Sequence, residues 1–184
     1  MQRTESGTDS GATDETIRCR EAGAADIPAI LAVAEATWRP TYLSIVPEEQ
    51  VDYMYAAIYN PASLRQQIED WHHTFLLLWL NNTPVGFASF SPRTEEPTVF
   101  KLHKLYLVPG RQGQGLGKRL IEAVSDRVRK AGGHHLDLNV NRNNPARFFY
   151  ERNGFRILGE EDVPIGPYWM NDYVMRKEVA GSTK

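Results

Sequence analysis

The sequence predicts a single α/β domain on a mixed sheet. Three observations carry this. Strand-like and helix-like segments alternate along the chain. Asn81-Asn82-Thr83 sits between two apolar runs as a tight turn, which makes that pair of strands antiparallel. A further strand feeds a glycine-rich turn and then a long amphipathic helix, the start of a crossover. At 184 residues the chain suits one domain, able to bury roughly two thirds of its unfolded surface.

Taken in order, residues 1–15 are rich in Ser, Thr, Gly, Asp and Glu, and read as a disordered tail. Ile17 to Arg20 reads as a first strand. Asp26 is placed to cap a helix that turns Ile27, Ile30, Leu31 and Val33 inward, tolerates Pro28 in its first turn, and ends near Trp38 before Pro40. A second helix follows Pro47 through Val51, Met54 and Tyr55 to Ile58. Asn60-Pro61 breaks it, and Leu64, Gln67, Ile68 and Trp71 mark a third. Phe75–Leu80 and Val85–Ser91 are the two hairpin strands, and Pro92–Pro97 is a loop. Val99–Val108 is the central strand. Leu116, Leu120, Ile121, Val124 and Val128 recur at helical spacing, and Gly132-Gly133 stops that helix near Lys130. Leu136–Val140 alternates as a strand, a short helix follows Asn143, and strands begin at Phe155 and at Tyr168. The domain is expected over 16–178, with a C-terminal tail at 179–184.

Composition removes several function classes. A net charge of −2 argues against a general nucleic-acid binder. Cys19 is the only cysteine, so no intrachain disulfide forms, and it reads as a small core residue. No apolar run approaches the length of a membrane span, and no signal-peptide core is visible, so the cytoplasm is the expected compartment. His72-His73 and His134-His135 lack partners at metal-ligand spacing, and no metal site is expected.

The chemistry concentrates in Arg111-Gln112-Gly113-Gln114-Gly115-Leu116-Gly117-Lys118-Arg119, where the central strand turns into the helix. Backbone N–H groups, the helix dipole and three cationic side chains converge there, which suits a diphosphate. A dinucleotide fingerprint needs G-x-G-x-x-G, but Gly113, Gly115 and Gly117 run G-x-G-x-G. A Walker A loop needs G-x-x-x-x-G-K-[ST], but Gly117-Lys118 is followed by Arg119. The spacing Gln112-x-x-Gly115-x-Gly117 resembles the Q/R-x-x-G-x-G/A loop of the GNAT N-acetyltransferase superfamily. Asn143-x-x-Ala146-x-x-Phe149-Tyr150-x-x-x-Gly154-Phe155 is similar to a second segment of that superfamily, in the right order and at the right distance. The resemblance spans Ile17 to Lys177, with the detailed match over residues 98–155.

The resemblance implies a mostly antiparallel sheet of six to seven strands, splayed at its centre, with helices on both faces. It implies acetyl-CoA as co-substrate, its pyrophosphate on Gln112, Gly113, Gln114, Gly115, Leu116, Gly117 and Lys118. The pantetheine arm would lie along the backbone of Leu105, Tyr106 and Leu107, with Asn143 as a further contact. Tyr150 matches the general acid beside the coenzyme sulfur. His103 takes the position, three before Tyr106, where many relatives carry a basic glutamate. A histidine of ordinary pKa suits that task, because an alkyl ammonium of pKa about 10.4 must lose a proton before attack. Trp38, Tyr42 and Asp172 are candidate acceptor contacts through cation–π and charge. The implied activity is acetyl transfer to a primary amine, by direct attack in a ternary complex. A small molecule is the expected acceptor, polyamine-like among others, because Thr37–Tyr42 and Met170–Met175 are similar to bacterial polyamine acetyltransferases. Two alternatives stand beside it: a non-catalytic acyl-CoA-binding module, and an acetyltransferase of protein N-termini or lysines. No nucleic-acid or membrane partner is expected, and a homodimer is allowed.

Overall fold

The computed structural model of the protein describes residues 15–179. The expected tails, apart from Glu15 and Val179, lie outside the described residues. Val179 belongs with the domain: it is buried, and its N–H donates to the His134 carbonyl at 2.9 Å.

Strands β1 (Ile17–Ala22), β2 (Thr74–Leu80), β3 (Thr83–Pro92), β4 (Val99–Leu107), β5 (His135–Asn141), β6 (Arg156–Ile165) and β7 (Tyr168–Glu178) form one sheet in the order β1-β2-β3-β4-β5-β7-β6. Every neighbouring pair is antiparallel except β4 with β5. That parallel pair is joined by the crossover helix α4 (Leu116–Lys130). Helices α1 (Ile27–Tyr42), α2 (Glu48–Ile58) and α3 (Pro61–Glu69) pack on one face, while α4 and the short α5 (Ala146–Arg152) pack on the other.

Two cores result, one per face. On β2, Leu76, Leu78 and Leu80 join the core under α4, and Phe75 and Leu77 join the core under α1 to α3. The unbroken apolar run of this strand follows from burial on both faces. In α4 the stripe Leu116, Leu120, Ile121, Val124 and Val128 is wholly buried, as its spacing requires.

Three local expectations need correction. Helix α1 runs through Pro40 to Tyr42. Pro40 lies in the last turn, where one lost N–H is tolerable, and the Thr41 hydroxyl donates to the Thr37 carbonyl at 2.7 Å. Asp26 does not cap α1 through its side chain: its carboxylate accepts from the Gly23 N–H at 3.0 Å and from Arg20 at 2.6 Å. Trp71 lies beyond α3 and is exposed, because the chain leaves the helix and turns through a left-handed His72.

Candidate active site

The site begins with a break in the sheet. β4 and β5 pair only from Val99 to Leu102 against His135 to Leu138. Beyond those residues both strands continue, to Leu107 and Asn141, without pairing to each other. The break coincides with a β-bulge. Ser89 faces Lys104 and Phe90 faces Leu102, so His103 has no partner on β3. Bulges bend a strand and re-aim its side chains, and here His103 and Lys104 both reach the α3 side, meeting His73 and Gln67. Below the bulge the Val108 N–H donates to the Val85 carbonyl at 2.9 Å. Successive peptide N–H groups alternate along a strand, so those of Leu107 and Leu105 point the other way, into the gap.

The gap opens a cleft of about 500 Å³ that passes between the two faces of the sheet. The glycine turn closes one end. Gly113 and Gly115 adopt left-handed conformations, φ 79° and 76°, and Gly115 immediately precedes α4. A side chain at Gly115 would be strained by backbone geometry alone, although the space around it is open. The Gln112 side chain folds back, accepting from the Gly110 N–H at 3.0 Å. Gly117 is needed for a different reason. A Cβ there would sit 2.9 Å from the Phe149 ring, so its absence lets α5 settle directly on the start of α4.

That contact places Tyr150, the next residue of α5, at the cleft. Asn144 accepts from the Ala146 N–H at 2.9 Å to start the helix, and Asn141 accepts from the Asn143 N–H at 3.0 Å to hold the preceding loop. The Tyr150 ring packs against Phe149 and Phe155, and burial pushes its phenol up to about 12.

The opposite wall comes from α1, β4 and β7. The Tyr42 and Tyr106 hydroxyls lie 3.1 Å apart, and burial holds both phenols well above their ordinary range. Asp172 is 7% exposed, and its Oδ1 has no hydrogen-bond partner among the described residues. Burial pushes its carboxyl up to about 6, with Asn139 and Lys101 pulling the other way. His103 also lines the cleft but is held down at about 2, by burial first and then by His73 and the nearby cations. Its ring stacks on His73 at 4.0 Å, and Nε2 lies 2.8 Å from the Ser91 hydroxyl. A ring so reluctant to accept a proton is a weak base, which counts against the role its position suggested.

The structure thus gathers Tyr150, His103, Leu105, Tyr106, Leu107, Gln112, Gly113, Gly115, Gly117, Lys118, Tyr42 and Asp172 around one cleft. It leaves others off the lining. Trp38 is buried among α1 and α2, its indole N–H donating to the Val51 carbonyl at 2.9 Å, and it supports Tyr42 from behind with ring centroids 4.3 Å apart. Leu116 is packed into the core, and Gln114 and Asn143 are exposed outside the cleft. Sequence reasoning missed Lys104, Asn141 and the bulge. The bulge left a signal: Phe100 and Leu102 alternate, then the phase slips to Leu105 and Leu107. Among the described residues no group of three or more His, Cys, Asp or Glu side chains is arranged to hold a metal, and no helix is long and apolar enough to cross a membrane.

Comparison with known proteins agrees with this geometry. The model of the acetyltransferase (GNAT) family matches residues 31–155. An uncharacterized N-acetyltransferase of Mycobacterium tuberculosis is 30% identical over 155 residues, covering 84% of this chain and 98% of that protein. A spermidine N(1)-acetyltransferase of Thermoplasma acidophilum is 26% identical, covering 89% and 98%. The crystal structure of the PaiA N-acetyltransferase of Thermoplasma acidophilum with coenzyme A superposes with a TM-score of 0.75 at 27% identity, covering 89% of this chain and 99% of that one.

Proposed function

The chain belongs to the acetyltransferase (GNAT) family, and from that premise we propose that it acetylates a primary amine of a small molecule within the cleft between β4 and β5. Acetyl-CoA is the acetyl donor of the family. The observation that carries the reading is the unpaired stretch of β4 and β5 beside the glycine turn, with Tyr150 on one side and Asp172 on the other. The cleft fits the donor: Leu105 and Leu107 offer free backbone N–H groups, and the left-handed glycines leave the turn open to a pyrophosphate.

The chain's residues divide the reaction between the two walls. The backbone N–H at Leu105 orients the thioester carbonyl and stabilises its developing negative charge. Asp172 takes a proton from the ammonium, directly or through water, and frees the nitrogen lone pair. A base near 6 is ionised at neutral pH yet retains proton affinity, which His103 does not. The C–N bond forms, the C–S bond breaks, and the Tyr150 hydroxyl donates to the departing sulfur. The nitrogen sheds its second proton as the amide forms, water carries that proton to the Tyr150 phenolate, and Asp172 returns its own to solvent. Because its phenol stays protonated to about pH 12, that donor is present throughout the working range. The Tyr42 and Tyr106 hydroxyls orient the amine.

The test is thiol release from acetyl-CoA with a panel of small amines, beside a thermal-shift titration with acetyl-CoA alone. Amine-dependent thiol release is expected. A thermal shift without release from any amine would assign the cleft to a binding module instead.

A further inference from the structure

A side-chain bridge crosses β7 beside Asp172, and the transfer chemistry makes no direct use of it. On β7, Asp172 pairs with Asn141 of β5 on one side and with Glu161 of β6 on the other, while Val174 pairs with Asn139. Paired residues share a face of the sheet, and alternate residues return to it. Asn139, Asn141, Asp172, Val174 and Glu161 therefore all project from one face. Strands β5 and β6 are not neighbours: β7 lies between them and sets their backbones about 9–10 Å apart. Asn139 Nδ2 nevertheless donates to Glu161 Oε2 at 2.8 Å. The two side chains thus meet above β7, over the step between Asp172 and Val174.

The orientation of the amide follows from the charges around it. Its Nδ2 carries two N–H groups; one serves Glu161, and the amide also favours the ionised Asp172 carboxyl by hydrogen bonding. Asn139 Oδ1 is buried and has no partner among the described residues. Turning the amide over would set that oxygen against the Glu161 carboxylate and lose the donor, so the carboxylates fix the orientation and leave the oxygen orphaned. Asn139 is also the first residue of β5 beyond those paired to β4, and it lines the cleft. Other charges reach Asp172 as well. Lys101 of β4 and Arg142 after β5 favour its ionised form, Glu161 opposes it, and the Tyr42 hydroxyl of α1 is a titratable neighbour. Among the groups acting on the Asp172 carboxyl, only Asn139 acts through a hydrogen bond.

We propose that Asn139, tied down by Glu161, is a positioning residue for acetyl transfer: it acts through Asp172, whose carboxylate it holds in the cleft. The proposal rests on the acetyltransferase reading and deepens it. An acceptor amine then meets a base whose direction is set before it arrives, and a misplacement of about 1 Å can cost ~10²-fold in rate. Glu161 has a second effect. Its like charge favours the protonated Asp172 carboxyl, whereas the Asn139 donor favours the ionised one. The two members of one bridge therefore push the base in opposite directions.

The experiment follows the Asp172 carboxyl carbon by NMR across pH in the free protein, with carbon-13 aspartate and Asp172→Asn for the assignment. Beside it run pH profiles of kcat with one accepted amine. In both, the wild type should titrate near pH 6. Asn139→Leu should move both midpoints up by about 1 pH unit, the worth of one hydrogen bond to a carboxylate. It should also lower kcat on the plateau above the midpoint by ~10-fold, with little change in KM for acetyl-CoA. Glu161→Gln keeps an acceptor for Nδ2 and removes the charge, so both midpoints should move down by ~0.5 pH unit and the plateau should fall less. A general loosening of the fold does not produce displacements of opposite sign. If Asn139→Leu does not fold, Asn139→Ala, which adds no bulk, decides in its place. Midpoints unmoved by the Asn139 substitution, or moved the same way by both substitutions, would overturn the proposal. So would a plateau rate equal to that of the wild type in the Asn139 variant. The carbon titration needs no amine. Opposite carbon midpoints with no thiol release from any amine would therefore end the acetyltransferase reading, and the part of Asn139 in transfer with it, while the bridge itself stood.

Discussion

The wall of the cleft that carries the glycine turn draws on one short stretch of chain, with Gln112, Gly113, Gly115, Gly117 and Lys118, and on α5, with Ala146, Phe149, Tyr150 and Arg152. The facing wall is assembled from Tyr42, Lys104, Tyr106 and Asp172, which come from α1, β4 and β7. The first wall works through backbone: N–H groups at the turn, left-handed glycines, and a missing Cβ at Gly117. The second works through side chains whose properties depend on burial. Under the proposed function, this contrast separates the residues that would serve the coenzyme from those that would serve the acceptor. It also yields distinct expectations for substitutions on each side.

The largest effect is expected at Asp172. Asp172→Asn should lower kcat by ~10²–10⁴-fold, the usual contribution of a positioned acid–base group, with little change in acetyl-CoA affinity. In the wild type the rate should rise through a limb near pH 6 as Asp172 ionises, and that limb should vanish in the variant. Stability should move oppositely. Asp172 is raised from 3.8, so the folded state binds its proton more tightly than the unfolded chain does. This group therefore weakens folding as pH rises from about 4 through 6, and Asp172→Asn should raise Tm at pH 8 but not at pH 3.5. A variant that is slow and no more stable at pH 8 would make Asp172 a packing residue.

Gly115→Glu tests the backbone wall. A left-handed glutamate costs about 1–2 kcal/mol in conformation and brings negative charge to the pyrophosphate. Calorimetry should show acetyl-CoA affinity reduced by ~10²-fold, with unchanged circular dichroism, because no neighbour lies within 4 Å of the added Cβ. Unchanged affinity would mean that the turn does not hold the coenzyme. Tyr150→Phe should have a smaller effect, ~10-fold on kcat, since a coenzyme thiolate resembling that of cysteine, pKa about 8.5, departs tolerably without an acid. Its KM for acetyl-CoA should hardly move, and a fall in affinity instead would recast Tyr150 as a binding residue.

Legibility in the sequence follows the same division. The glycine turn was readable because its information is local, and Tyr150 because it lies at a fixed distance from Asn143 on a short helix. The two-faced burial of β2 was readable from its unbroken apolar run. The facing wall was not. Lys104 looks like an ordinary exposed lysine until α3 is placed over it, and Trp38 looks like an aromatic contact until α2 takes its N–H. Pro40 read as a helix stop, because nothing local tells that Thr41 will back-bond across it. The phase slip between Leu102 and Leu105 was the one available sign of the bulge, and it marks where the sheet opens.

The smallest effect is expected at His103, where position in the strand and environment disagree. Its place on β4 suggests a base, but burial, the stacked His73 ring and three cations leave it almost no tendency to protonate. His103→Gln keeps a polar group near the Ser91 hydroxyl, and kcat should stay within about threefold of wild type, below the range of a lost acid–base group. The limb near pH 6 should persist, because it belongs to Asp172. The footprint of the histidine should appear in stability. His103 is lowered from 6.5 to about 2, so below pH 6.5 the unfolded chain takes up a proton that the folded state refuses. Its contribution is therefore present above pH 6.5 and is lost progressively as the medium becomes more acidic. Asp172 titrates with the opposite sign between about 4 and 6, so the comparison is made in an Asp172→Asn background. There, His103→Gln should flatten the fall of Tm between pH 6.5 and 5. If the substitution instead removes the kinetic limb and leaves the stability profile alone, His103 is the base, and the facing wall takes its chemistry from strand position after all.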